Sequence, residues 1–135
     1  MRNYEIIKPE NERELEDMIC ENPEIVEEGF QVLQRQLNTG YGGTIDVLGV
    51  DKTGTLTIIE LKVDEDEGIF AQALDYFAWV NDNRDSIKRM FATEKVDEKQ
   101  TPRIVLIAPY FSDGLRRRVN YLREDMSCNL VVIPS

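Results

Sequence analysis

The sequence predicts an α/β fold in which a mixed β-sheet is flanked by helices, in the order α β β β α β α β. Three observations lead there. Asp51-Lys52-Thr53-Gly54 between two apolar runs is a hairpin signal and places antiparallel strands early. The apolar segments 103–108 and 129–133 are separated by a helical stretch, a crossover that joins parallel strands. Both faces of the hairpin strands are apolar, so helices must cover the sheet on both sides.

The elements follow in order. After a short Tyr4–Ile7 segment, Asn11 is placed to cap a helix running to about Cys20, with Leu15, Met18 and Ile19 as its apolar stripe. Pro23 ends that helix. Phe30 to Leu37 alternates weakly as a strand, and Gly40, Gly42 and Gly43 then break the chain. Thr44–Val50 and Thr55–Val63 are the hairpin strands. Ile69, Phe70, Ala73, Leu74, Phe77 and Val80 recur at helical spacing, and Ser86–Phe91 continues helically after Asn81–Asn83. Arg103–Ala108 reads as a buried strand, Asp113 caps a helix to about Arg123, and Asn129–Ile133 closes the sheet. With no repeat, low-complexity tract or Gly/Ser linker, the 135 residues organise as one domain, 1–135.

Composition excludes whole classes of chemistry. There is no histidine, so no Ser-His-Asp or Cys-His nucleophile pair and no HExxH zinc helix can form. Any reaction must run on carboxylates, lysine, hydroxyls and bound cations. The net charge of −10 argues against coating nucleic acid by bulk charge. That charge is uneven: residues 1–30 carry −7 and 63–101 carry −5, whereas 31–62 are neutral and 102–135 carry +2. Cys20 and Cys128 form no CxxC, the N-terminus is too polar for a signal peptide, and the longest apolar run, Ile104 to Pro109, is too short to span a bilayer. A reduced cytoplasmic protein without a membrane partner is expected.

The hairpin makes a geometric prediction. With Lys52-Thr53-Gly54 as a three-residue loop and Gly54 left-handed, Asp51 faces Thr55, Asp46 lies opposite Glu60, and Lys62 opposite Thr44. Asp46, Glu60 and Lys62 then share one face with Leu48, Val50, Leu56 and Ile58, while Ile45, Val47, Ile59 and Leu61 fill the other. Two opposed carboxylates in such a place repel unless compensated, and a divalent cation taking hard oxygen ligands would compensate them. The alternatives are that Lys62 merely neutralises the acids, or that a two-residue turn shifts the register and separates them.

The ordered residues Gly43-Thr44-Ile45-Asp46-Val47-Leu48, followed by Glu60-Leu61-Lys62, resemble the PD-(D/E)xK signature of the restriction-endonuclease-like nucleases. More narrowly they resemble the catalytic domain of the NucS (EndoMS) mismatch endonucleases. Glu12-Arg13-Glu14-Leu15-Glu16 with Glu21-Asn22-Pro23-Glu24, then Arg35-Gln36 and Thr39, and Gln72-Ala73-Leu74-Asp75-Tyr76 complete the match over about residues 11–80. The resemblance implies a restriction-endonuclease-like core and a metal-dependent endonuclease that hydrolyses DNA phosphodiester bonds with Mg²⁺, for which Mn²⁺ would substitute. It implies Asp46, Glu60 and the Leu61 carbonyl as metal ligands, Lys62 beside the attacking water, a first-helix Glu near the site, and Gln72 near the lysine. Glu12 is the chosen first-helix acid, being three residues before Leu15 and seven before Ile19; Glu16 is the reserve, and a solvated face is the alternative for both.

The chain also departs from that family. Val63-Asp64-Glu65-Asp66-Glu67 places four acids after Lys62, where relatives often carry a basic residue, and these either repel DNA or cap the next helix. No counterpart of the relatives' separate N-terminal DNA-contact and dimerisation domain is found in the 135 residues. Arg116, Arg117, Arg118 and Arg123 form the best basic cluster, Arg35 and Lys52 lie near the hairpin, and Tyr76 and Trp79 extend the Gln72 stripe. Arg35, Tyr76, Arg116 and Arg117 are therefore the substrate-contact candidates, the phosphate role of the arginines standing level with a solubilising one. DNA is the expected partner, bound weakly by this chain alone, with a partner protein or a second copy adding affinity. A non-catalytic nucleic-acid-processing or interaction module on the same fold is the alternative function, and a purely structural ion cluster a third.

Overall fold

Asn11 opens the first helix as its spacing predicts: its side chain accepts the Glu14 N–H at 2.8 Å, and α1 runs Glu12–Glu21 with Leu15 and Ile19 buried one turn apart. The computed structural model describes residues 8–40, 43–64, 68–122 and 126–133. The Tyr4–Ile7 segment, Gly42, residues 65–67 of the acidic run and Arg123 lie outside them. A single 3-10 turn, Pro23–Ile25, follows α1 and leads into β1, Gln31–Asn38. Then come β2 (Thr44–Val50), β3 (Leu56–Leu61), α2 (Gly68–Asp82), α3 (Arg84–Met90), β4 (Arg103–Ala108), α4 (Asp113–Asn120) and β5 (Ser127–Val132).

The strands form one mixed sheet in the order β1-β2-β3-β4-β5. β1, β2 and β3 are antiparallel neighbours, while β3–β4 and β4–β5 are parallel pairs, as the late crossover requires. Gly54 takes φ +88, the Gly54 N–H donates to Asp51 O at 3.0 Å and the Asp51 N–H to Thr55 O at 3.1 Å. The three-residue loop thus sets the predicted register, with Val50 opposite Leu56 and Val47 opposite Ile59.

Helices cover both faces. On one, Leu15 and Ile19 of α1 pack with Val47, Ile59, Leu61, Val105 and Ile107. On the other, α2 and α3 bury Tyr76, Val80 and Ile87 against Leu48, Val50, Leu56 and Ile58, and α4 adds Leu115 beside Ile104 and Leu106. Burying one such aliphatic side chain contributes roughly 1.5–3 kcal/mol, so β2, β3 and β4 anchor the molecule.

Several expectations change in detail. Ile45 packs with Leu48, Val50 and Tyr76 rather than with Val47; the paired β2–β3 register ends at Val47↔Ile59, and the alternation does not continue through Asp46. β1 owes its weak pattern to a register shift between Val32 and Gln34, which leaves Leu33 as the extra residue. Ser112, not Asp113, caps α4, its hydroxyl accepting the Leu115 N–H at 3.1 Å, and that helix ends at Asn120. β3 stops at Leu61 rather than Val63, and β5 begins at Ser127 rather than Asn129.

Candidate functional site

Where the β2–β3 ladder ends, side chains replace backbone in joining the strands. The Asp46 N–H donates to a Glu60 carboxylate oxygen at 3.0 Å, and the Leu61 N–H donates to an Asp46 carboxylate oxygen at 2.9 Å. Each acid is therefore fixed by the other strand's main chain, and the two carboxylates are held together. Glu60 is 2% exposed. Burial first, and then the Asp46 charge, push its carboxyl up to about 8, against the Asp46 N–H and Lys62, which lower it. Burial likewise raises Asp46, opposed by the Leu61 N–H, Gln36 and Lys62. Lys62 thus acts electrostatically on both acids; its own N–H donates to Ile107 O at 2.9 Å, which anchors the backbone beneath its side chain.

The helix acid that reaches this pair is Glu16, not Glu12. Glu12 is exposed in the first turn of α1, whereas Glu16, one turn further in and facing the sheet, is 6% exposed. Glu16 accepts from Arg35 Nε at 2.7 Å and from Gln36 Nε2 at 2.9 Å, and its charge is felt at Asp46. Gln36, with φ +50, also lowers the Asp46 carboxyl, so one amide acts on both the helix acid and the strand acid. Sequence reasoning gave Gln36 no role. Its position beside Arg35 carries no sign of the left-handed backbone it adopts.

Arg35 is likewise corrected. Its guanidinium is engaged by Glu16 and, at 2.5 Å, by Asp17, so it fastens α1 to β1 instead of standing ready for a substrate. Lys52 sits at the hairpin tip, the opposite end of β2 and β3 from Asp46 and Glu60. Tyr76 is buried in the core, its hydroxyl accepting the Thr44 N–H at 3.0 Å and meeting Gln72. A Cβ on Gly43 would lie 2.6 Å from the Tyr76 ring, so only glycine admits this approach. Exposed Gln72 therefore reaches the site through Tyr76. Gln72, Tyr76 and Trp79 also line a cavity of about 730 Å³ that includes Gly43, Asp75 and Asp82.

Arg116 and Arg117 are exposed on α4, which leaves the sheet beyond the C-terminal end of β4; β4 lies parallel to β3 with Ile107 beside Leu61. Arg116 Nε donates to Phe111 O at 3.3 Å with its guanidinium 5.8 Å from the Phe111 ring centre. Exposed Asp64 follows Lys62 closely. Among the described residues no group of three or more acids or thiols is gathered as a ready-made metal cage. Half-buried Asp46 and buried Glu60 are the two carboxylates held across the ends of β2 and β3.

Residues 11–105 match the family model described as the endonuclease NucS C-terminal domain. The chain belongs to that family. Endonuclease NucS of Pyrococcus abyssi is 30% identical over 107 residues, 79% of this chain and 37% of that protein. Endonuclease NucS of Thermococcus kodakarensis is 44% identical over 52 residues, 38% of this chain and 20% of that protein. The crystal structure of a repair endonuclease from Pyrococcus abyssi superposes with a TM-score of 0.65 at 28% identity, covering 99% of this chain and 50% of the other. An EndoMS–dsDNA complex gives 0.65 at 26% identity, covering 100% and 50%. The chain thus spans half or less of these NucS relatives, and the part it spans is the one that holds Asp46, Glu60 and Lys62.

Proposed function

We propose that this chain is the catalytic domain of a DNA repair endonuclease that hydrolyses phosphodiester bonds with Mg²⁺ or Mn²⁺, in the PD-(D/E)xK manner. The observation that carries the reading is the reciprocal locking of Asp46 and Glu60 beside Lys62. Two carboxylates kept close, one buried and one half-buried, are costly by themselves and suited to a divalent cation, whose charge offsets their repulsion. Asp46 and Glu60 would hold the ion, with the Leu61 carbonyl as a third oxygen. When bound, the ion polarises the scissile phosphate and lowers the pKa of a water.

The chain's own groups do the rest. Lys62 would orient the attacking water and stabilise the negative charge that develops on the phosphate. Glu16 acts through Gln36 to hold the Asp46 carboxylate, and Gln72 acts through Tyr76 to hold the start of β2; both are positioning residues. Arg116 and Arg117 would contact phosphates. The relatives' names and the duplex-bound neighbour support DNA as substrate. With few basic groups near the site, affinity would be completed by a partner or a second copy. The unbridged Cys20 and Cys128 suit a cytoplasmic setting.

Two measurements test this. Calorimetry should show Mn²⁺ binding that Asp46→Asn removes; no binding, or binding indifferent to the substitution, leaves only a structural ion cluster. Incubation with Mg²⁺ or Mn²⁺ and a panel of linear, mismatched, branched and single-stranded DNA should give cleavage that Lys62→Ala abolishes. Metal binding without cleavage of any substrate would instead support a non-catalytic module.

A further inference from the structure

The reaction proposed for Asp46, Glu60 and Lys62 makes no use of Asp75, Trp79 and Asp82 on α2. Spacings of four and three residues put these side chains on one stripe, about 10 Å long, with the indole between the two carboxylates. Together with Gln72 and Asn83 they line the cavity of about 730 Å³ that also includes Gly43 and Tyr76. Trp79 is half-buried and packs against the core beneath α2, while Asp75 and Asp82 are exposed.

This stripe is not neutralised from within the described part of the chain. Neither Asp75 nor Asp82 has a hydrogen-bond or ion-pair partner among the described residues. The cations that follow on α3 are committed elsewhere: Arg84 donates to the carbonyls of Asn81, Glu98 and Gln100 at 3.1, 3.0 and 3.1 Å, and Lys88 to Glu98 at 2.7 Å. Two carboxylates alone would mark no more than a solvated surface. The aromatic ring set between them, in a cavity that also presents the amides of Gln72 and Asn83, narrows the chemistry. An indole face attracts a cation, and a flat cation can cover it. A guanidinium is planar, and its five N–H groups fork towards carboxylate and amide oxygens at its edge. An ammonium offers neither the plane nor the fork.

We infer that this cavity seats an arginine side chain of a basic partner protein. The preference for a flat cation follows from the walls alone. That the partner is a protein rests on the proposed function, because a chain of net charge −10 that acts on DNA draws its affinity from a protein rich in lysine and arginine. Such a partner is attracted to the acidic side of the chain and leaves the exposed Arg116 and Arg117 of α4 to the DNA. The Tyr76 hydroxyl, which accepts the Thr44 N–H, feels the charges of Glu60 and Asp46. A guanidinium held beside Tyr76 therefore adds positive charge next to the catalytic pair.

Trp79 is the single tryptophan of the chain, so its fluorescence reports on this cavity. Titration of the metal-free protein with acetyl-Gly-Arg-Gly-Arg-Gly-amide, at constant ionic strength and without DNA, should change the emission saturably, with a Kd on the order of 1 mM. The lysine counterpart of that peptide and putrescine carry the same charge and should each bind at least about fivefold more weakly. Asp75→Asn combined with Asp82→Asn should weaken the arginine peptide by about tenfold. Glu10→Gln combined with Glu28→Gln removes the same charge at exposed positions off the cavity and should leave binding unchanged. Trp79→Leu, followed by calorimetry, should show the same loss as the aspartate pair; if that variant fails to fold, the aspartate pair decides. An emission that never saturates, a lysine peptide or putrescine that binds as tightly as the arginine peptide, or binding indifferent to the aspartate substitutions would overturn the inference. With neither DNA nor metal present, such a failure leaves the nuclease reading standing, and a chain that cleaves no DNA could still bind the peptide.

Discussion

Asp46 and Glu60 hold each other in a place that stability alone would not choose. Each carboxylate is tied by the opposite strand's main-chain N–H, so neither can swing away from the other's charge. Glu60→Gln keeps an oxygen for the Asp46 N–H and removes the repulsion. We expect that variant to raise the melting temperature of the metal-free protein, by several degrees in EDTA at mildly alkaline pH, and to abolish cleavage. A lowered melting temperature would mean that the pair stabilises the fold instead. The helix acids make a second contrast. Glu16→Ala removes the carboxylate that Arg35 and Gln36 share, leaving Arg35 to Asp17, and should cost about 1–3 kcal/mol in urea unfolding, with loss of cleavage. Glu12→Ala, at an exposed position, should change stability by less than about 0.5 kcal/mol and leave cleavage intact.

The hairpin shows how an element fixes a site at its far end. One Asp51 oxygen accepts the Thr53 N–H at 2.9 Å, the Thr53 hydroxyl at 2.6 Å and the Thr55 N–H at 3.0 Å, while the other meets Arg103 at 3.3 Å. Burial alone would raise the Asp51 carboxyl, but these donors outweigh it and hold it below the usual carboxylate range. A depressed carboxylate contributes stability above its unfolded value, near about 3.9, and loses it as pH falls through the lower folded value. Asp51→Ala should therefore cost about 2 kcal/mol near neutral pH and at about pH 5, and the gap to wild type should begin to narrow at about pH 3. Denaturant titrations at the three pH values read this directly. The register was legible as far as Val47 opposite Ile59 because a short Asp-to-Gly loop dictates it locally; beyond it Asp46 and Glu60 meet through main-chain N–H groups and not as an opposed pair. The choice between Glu12 and Glu16 was not, since both lie one turn apart on one helix face and only the reach of the sheet decides. Nor were the bulge at Leu33 or the left-handed turn of Gln36, because no glycine, proline or turn dipeptide marks either place in the sequence.

At the scale of the whole molecule the net charge of −10 and the placement of the arginines govern how DNA could be met. Asp75 and Asp82 line the cavity beside Tyr76, and exposed Asp64 follows Lys62, so phosphates are repelled on those sides. Arg35 is committed to Glu16 and Asp17, which leaves Arg116 and Arg117 as the exposed candidates on the α4 side. A duplex neutralised at only two or three phosphates releases few counterions, and log affinity against log salt then falls with a slope of roughly −2 to −3. Fluorescence anisotropy with a labelled duplex, in Ca²⁺ to withhold cleavage, should show weak binding that is lost between low and physiological salt. Arg116→Ala combined with Arg117→Ala should flatten the slope by about 1–2 while leaving the melting temperature unchanged, because neither guanidinium is buried. Binding indifferent to salt would mean that the chain grips DNA through contacts other than charge, and an unchanged slope in the double variant would move the phosphate contacts off α4.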